Sequence, residues 1–106
     1  MRGGRSVAKK ENKFKAELKK ELKDLFPGCV LVDMNPNEQQ GVSDLLILYR
    51  FTWAMLECKR EAVSSRRPNQ DYFVEKFNEM SFAAFIYPEN REEVLHDLES
   101  TFSARW

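Results

Sequence analysis

Two cysteines and a single histidine are too few for several common chemistries. Cys29 and Cys58 both fall in apolar, strand-like segments. A disulfide framework is therefore not expected, and reduced, buried thiols in a cytosolic protein are. His96 is the only imidazole and stands far in sequence from the other polar candidates. It reads as a surface residue, and no Cys–His dyad has support. There is no zinc-finger spacing, no helix-turn-helix signature and no RNA-binding aromatic motif. No apolar run approaches the ~20 residues of a membrane span, so no membrane partner is expected. The opening residues, Met1-Arg2-Gly3-Gly4-Arg5-Ser6, lack the apolar core of a secretory signal, and the expected compartment is the cytoplasm. Net charge is also lacking, because 17 Lys and Arg balance 17 Asp and Glu.

What is present is one domain's worth of patterned sequence. The 106 residues suffice for a single core with little surplus stability. Charge is unevenly spread. Residues 1–25 hold nine Lys and Arg against four Asp and Glu, a balance of +5, and the rest of the chain carries −5. Residues 1–7 read as a flexible basic tail and 8–106 as the domain. Phe14, Leu18, Leu22 and Leu25 recur at spacings of four, four and three, which predicts an amphipathic helix over 8–26. Pro27-Gly28 stops it. Strands are expected at 29–34, 44–51 and 53–59. The run Leu45-Leu46-Ile47-Leu48 suggests burial on both sheet faces. A helix follows Pro68 to about residue 80, with Tyr72, Phe73, Phe77 and Met80 as its apolar positions. A fourth strand spans 81–87. A last helix after Pro88-Glu89-Asn90 carries Val94, Leu95, Leu98 and Phe102 on one face. The order is α-β-β-β-α-β-α: an α/β domain with a mixed central sheet flanked by helices.

The polar residues within these strands carry the chemistry. Asp44 opens the second strand, after the turn-rich segment 35–41. Glu57 and Lys59 are one residue apart near the end of the third. Side chains alternate along a strand, so both point one way and Cys58 points to the other face, away from the acids. If the two strands form a hairpin, Asp44 joins Glu57 and Lys59. Two carboxylates repel unless a cation lies between them. Oxygen donors favour a hard ion, Mg2+ or Mn2+, and Mg2+ is typically held by one or two carboxylates, waters and substrate phosphate. Metal-assisted hydrolysis of a phosphodiester uses this set of groups.

The pattern Gly41, Asp44, Glu57, Lys59 and Gln70 resembles the PD-(D/E)xK nuclease superfamily, and within it the small phage and bacterial VRR-NUC and Holliday-junction-resolvase-like enzymes. The likeness covers roughly residues 11 to 100. Ser43 stands where the family usually has proline. The resemblance implies a restriction-endonuclease-like core and a DNA endonuclease that cuts junctions or flaps. It implies Asp44, Glu57 and the backbone carbonyl of Cys58 as metal ligands, Lys59 as the catalytic cation, and Gln70 assisting from the next helix. It also implies a glutamate on the first helix. Glu11, which extends the apolar stripe, and Glu17, a quarter-turn off it, both compete for that place. For a phage-encoded chain the compartment would be the host cytoplasm.

DNA is the expected partner. Lys9, Lys10, Lys13 and Lys20 on the first helix, with Arg60, Arg66 and Arg67 after the third strand, could follow a phosphate backbone and supply affinity without sequence specificity. Cutting two strands needs two sites, which makes a homodimer the expected assembly. Two other functions fit the same residues. One is a nuclease-like fold that binds DNA or assembles with weak or no catalysis. The other is an interaction module whose acids are merely solvated.

Overall fold

The computed structural model of the protein describes residues 2–34, 41–62 and 69–105, with side chains of the first helix described from Asn12 onward. Seven elements follow in order: α1 (Arg2–Leu25), β1 (Val30–Asp33), β2 (Leu45–Tyr49), β3 (Thr52–Cys58), α2 (Gln70–Met80), β4 (Phe82–Ile86) and α3 (Arg91–Ala104). The strands form one mixed sheet in the order β1-β2-β3-β4. The first three run antiparallel to their neighbours, and β4 lies parallel to β3. A parallel neighbour requires a crossover, and α2 provides it.

Helical backbone in α1 begins at Arg2, inside the segment 1–7 expected to be a tail. Apolar periodicity reads only the stripe that touches the core, and that stripe begins at Phe14. Gly3 and Gly4 are also weak helix formers, so nothing in 2–7 announces a helix. The stripe itself is Phe14, Leu18, Leu22 and, just past the helix, Phe26, all buried. It ends at a turn closed by the Cys29 N–H donating to the Phe26 carbonyl at 2.9 Å. Gly28 takes φ +89 there, a backbone region that β-carbon-bearing residues rarely enter.

The stripe packs on the sheet face formed by Leu45 and Ile47 of β2, Ala54, Leu56 and Cys58 of β3, and Ile86 of β4. Helix α3 covers the same face with Val94, Leu95, Leu98 and Phe102. At one end of this layer Phe26 meets Tyr49 and Phe102, with ring centroids 5.2 and 5.1 Å away. Helix α2 lies on the opposite face, where Phe77 sits edge-on to Trp53. Its inward residues are Gln70, Phe73, Val74 and Phe77. Tyr72 and Met80, expected on the apolar face, are 59% and 61% exposed, because the stripe that meets the sheet runs through 70, 73, 74 and 77.

The second face is only half covered. Helix α2 reaches β3 and β4, and Val30 and Val32 of β1 and Leu48 of β2 stay exposed beside it. Burial on both faces, expected of β2 from its apolar run, therefore holds for β3, whose last five residues are all buried. In β2 it is only Leu45 and Ile47 that are fully enclosed. No helix among the described residues is long and apolar enough to cross a membrane.

Leu18 and Leu22 are wholly enclosed by this layer. Truncating either to Ala removes packing from both α1 and the sheet. Leu18→Ala is expected to lower unfolding free energy by about 2–5 kcal/mol. Urea denaturation measures it, and Glu17→Ala on the exposed side of the same helix should cost less than about 0.5 kcal/mol.

Candidate functional site

Pairing of β2 with β3 sets Leu45 opposite Leu56, and one step further Asp44 comes opposite Glu57. Asp44 sits at a bend just before β2, where the Met34 N–H donates to its carbonyl at 2.9 Å. Upstream, Gly41 is buried at φ +89, so the approach to Asp44 uses a conformation suited to glycine. Because Asp44 precedes the regular strand, alternation does not fix the direction of its side chain. Its Oδ1 accepts the Cys58 backbone N–H at 3.2 Å, so the carboxylate extends the ladder ahead of the first β2 residue. The Cys58 thiol and the Glu57 side chain also hydrogen-bond to Asp44.

Lys59 follows β3 and stays anchored, its N–H donating to the Ile86 carbonyl of β4 at 2.8 Å. Its Nζ donates to Gln70 Oε1 at 2.7 Å, at the first residue of α2. Glu57, Lys59 and Gln70 are 5, 8 and 5% exposed. Polar groups this buried are found only where partners satisfy them. One end of the sheet thus holds a carboxyl pair, Asp44 with Glu57, and an amide-bound ammonium, Lys59 with Gln70.

Burial pushes the Asp44 carboxyl above its ordinary range, against the opposing pull of Lys15, Cys58 and Glu57. Lys15 is a site residue that the sequence reading missed. It projects from α1 to Asp33 Oδ1 at 2.9 Å and adds its charge to the field at Asp44. Burial works against the Lys15 ammonium, but Asp33 and Asp44 outweigh it and hold its pKa above the ordinary value. Lys19 and Lys15 together hold the Asp33 carboxyl below the usual carboxylate range. The missing signal was positional: residues 11, 15, 18 and 22 form one helical stripe, so Lys15 belongs to the inner face and not to the solvated one.

Cys58 differs from expectation in its surroundings. It lies with Ala54 and Leu56 on the face that alternation assigns it, yet the Asp44 carboxylate leaves the alternation and comes to it. Burial first, then the Asp44 charge, pushes its thiol far above the ordinary value, so it supplies no thiolate nucleophile. Its backbone, expected to act through the carbonyl, meets Asp44 through the N–H. Ser43 is fully enclosed, with no hydrogen-bond partner for Oγ among the described residues.

The remaining candidates lie elsewhere. Lys13, Glu17 and Lys20 are exposed on α1, and Arg60 pairs with Glu61 at 3.2 Å. The side chains of Lys9, Lys10 and Glu11, and residues Arg66 and Arg67, lie outside the described residues. His96 is exposed, and Cys29 is half-buried with a free thiol. Among the described residues, no group of three or more His, Cys, Asp and Glu is placed to hold a metal ion. Comparison of the chain with family models, with curated proteins and with solved structures gave no match.

Two outcomes test this electrostatic arrangement. An acid whose folded pKa lies above its unfolded value binds its proton more tightly when folded. It therefore withdraws stability as pH rises from near 3.8 through the folded value. Asp44→Asn keeps an acceptor for the Cys58 N–H and removes that burden. Its melting temperature should exceed wild type at neutral pH, and the gain should vanish as pH falls below the ordinary carboxyl value. An unchanged difference across pH would show that Asp44 is not charged at a cost. Second, Lys15→Met deletes a cation that stabilises the Asp44 carboxylate. An NMR titration of the Asp44 side chain should then give a higher pKa than in wild type.

Proposed function

We propose that the protein is a metal-dependent phosphodiesterase acting on DNA, of the PD-(D/E)xK type that its motif resembles. The observation that carries this reading is the half-buried Asp44 carboxyl beside the buried Glu57, at the sheet end that also holds the buried Lys59–Gln70 pair. A purely structural sheet end gains little from burying this many ionisable groups. The donor chemistry fits Mg2+ or Mn2+: hard carboxylate oxygens, two in number, leaving room for water and phosphate. Asp44 and Glu57 would hold the ion, and once bound it would polarise the scissile phosphate and lower the pKa of a coordinated water.

The chain's own residues do the rest. The Cys58 N–H fixes one Asp44 oxygen and so orients the other. Gln70 holds the Lys59 ammonium at a set position through Oε1. From there Lys59 can stabilise charge developing on phosphorus, a role that depends on the cation being placed in advance. Lys15 balances the acids before substrate arrives. Exposed lysines of α1 add attraction for the phosphate backbone. The restriction-endonuclease-like topology, the homodimer and the preference for junctions or flaps belong to the same proposal.

A second reading has one observation in its favour. Lys15 already brings a positive charge to Asp44, as a metal would, so the same fold could bind DNA or assemble without catalysis.

Cleavage decides between the two. With Mg2+ or Mn2+ the protein should cut labelled DNA from a panel of duplex, flap and four-way substrates, and EDTA should abolish cutting. Lys59→Ala should still bind Mg2+ by calorimetry yet lose on the order of a hundredfold or more in single-turnover rate. Lys59→Arg should restore it only in part, because a planar guanidinium does not occupy the place of a compact ammonium. Wild-type cutting by Lys59→Ala would remove Lys59 from the chemistry. DNA binding with no cutting under any condition would favour the second reading.

A further inference from the structure

The far end of the same hairpin carries a second set of unusual residues. Tyr49 pairs with Thr52, so β2 and β3 are joined by only two residues, Arg50 and Phe51. Arg50 takes φ 56 in this turn. Two-residue hairpin loops use positive φ, and they normally place glycine, asparagine or aspartate there. An arginine at this position bears strain, and such strain is kept where the side chain has a use. The Arg50 guanidinium lies 5.0 Å above the centre of the Tyr49 ring. That ring is itself held by Phe26 and Phe102. Beside it, Phe51 is 92% exposed, the most exposed large apolar side chain among the described residues. Across the turn the Thr52 hydroxyl donates to the Tyr49 carbonyl at 2.6 Å.

Arg105 completes the group. Its Nη1 donates to Ser81 Oγ at 2.6 Å, and the Ser81 hydroxyl donates in turn to the Trp53 carbonyl. A guanidinium has five N–H donors, and this bond uses one. Among the described residues, Tyr49, Arg50, Phe51, Thr52, Phe102 and Arg105 line a shallow open hollow, and none of these is acidic. An exposed aromatic ring on a hollow that two arginines also line matches a ligand with a π-face and a neighbouring anion. A nucleotide of an unpaired strand has both.

We propose that the Arg50-Phe51 turn is a second nucleic-acid contact, on which an unpaired base stacks against Phe51 while Arg50 and Arg105 meet the adjoining phosphates. The inference rests on the reading of the protein as acting on nucleic acid and adds a substrate feature to it. Six residue steps of extended chain lead from Asp44 to Arg50, a span of about 20 Å. That equals roughly six steps along one strand of a duplex. A strand end or branch at the turn would then place duplex at the acids.

The test is equilibrium binding in EDTA, where no cutting occurs. The probes are a fluorescein-labelled single-stranded 20-mer and the blunt duplex of the same sequence. Phe51→Ala should weaken the single strand by roughly five- to a hundredfold, the range for one lost stacking contact, and leave the blunt duplex nearly unchanged. Phe51→Leu should weaken it similarly, because it keeps apolar area but no π-face, and Phe51→Trp should retain affinity. An unchanged melting temperature checks each fold, as expected for a side chain so exposed. The proposal is overturned if Phe51→Ala binds the single strand like wild type, if both probes weaken equally, or if wild type binds neither. Its failure is separable from that of the nuclease reading. Cutting by a wild type whose Phe51→Ala variant binds normally overturns the turn contact alone. Phe51-dependent binding without any cutting supports the turn contact and removes the hydrolysis.

Discussion

Strand β3 is the constraint on which the other elements depend. It is the strand with a neighbour on each side and a helix over each face, so both sets of its alternating side chains must be buried. Ala54, Leu56 and Cys58 answer this on one face with apolar groups against α1 and α3. Glu57 does not answer it apolarly, and Lys59 just beyond the strand does not either, though both are as enclosed as the core. A buried ionisable group must be compensated or it unfolds its surroundings. Gln70, opening α2, takes the Lys59 ammonium, Asp44, before β2, meets Glu57, and Lys15 of α1 adds its charge at Asp44. The candidate site is thus a consequence of where β3 runs out of apolar residues.

Covering one face with two helices and the other with one leaves an imbalance. The α1–α3 layer forms the continuous core, and α2 covers β3 and β4 while Val30, Val32 and Leu48 remain exposed. Strand β1, at the sheet edge, is held by its ladder with β2 and by Leu31 against the core, and it also meets α1 through charge. Asp33 at its end takes Lys15 and Lys19 from α1, at 2.9 and 2.6 Å. Exposed ion pairs of this kind contribute little to stability. Their structural effect is positional: Lys15, held by Asp33 on one side, is kept within the field of Asp44.

How much of this was legible in the sequence follows from what pattern can encode. The α/β class, the helical stripe from Phe14 and the apolar face of α3 are periodic features, and periodicity reports them directly. Asp44, Glu57, Lys59 and Gln70 stood out because polar residues interrupt or adjoin apolar strands. Lys15 was missed since a lysine in a lysine-rich helix resembles the solvated face, and only its place in the 11-15-18-22 stripe separates it from Lys13 and Lys20. Alternation places Cys58 on its proper face, but it does not extend to Asp44, whose bend before β2 brings its carboxylate to Cys58. Leu48, Tyr72 and Met80 were read as buried because apolar residue type was allowed to decide what the extent of the covering helix decides. The Arg50-Phe51 turn gave no signal beyond its shortness. Its strain and exposure exist only once the hairpin register is fixed.

That register connects the two ends of the hairpin. With Leu45 opposite Leu56, Asp44 necessarily comes to Glu57 at one end, and Tyr49 comes to Thr52 at the other. A slip of one residue between β2 and β3 would send every side chain of the slipped strand to the opposite face. It would expose Leu45 and Ile47, which are fully enclosed, so burial of these two residues forbids it. The apolar core therefore sets the distance between the acid pair and the aromatic turn without any contact between them. Neither end can be moved by mutation within the hairpin alone, because the residues that hold the spacing are the ones that hold the fold.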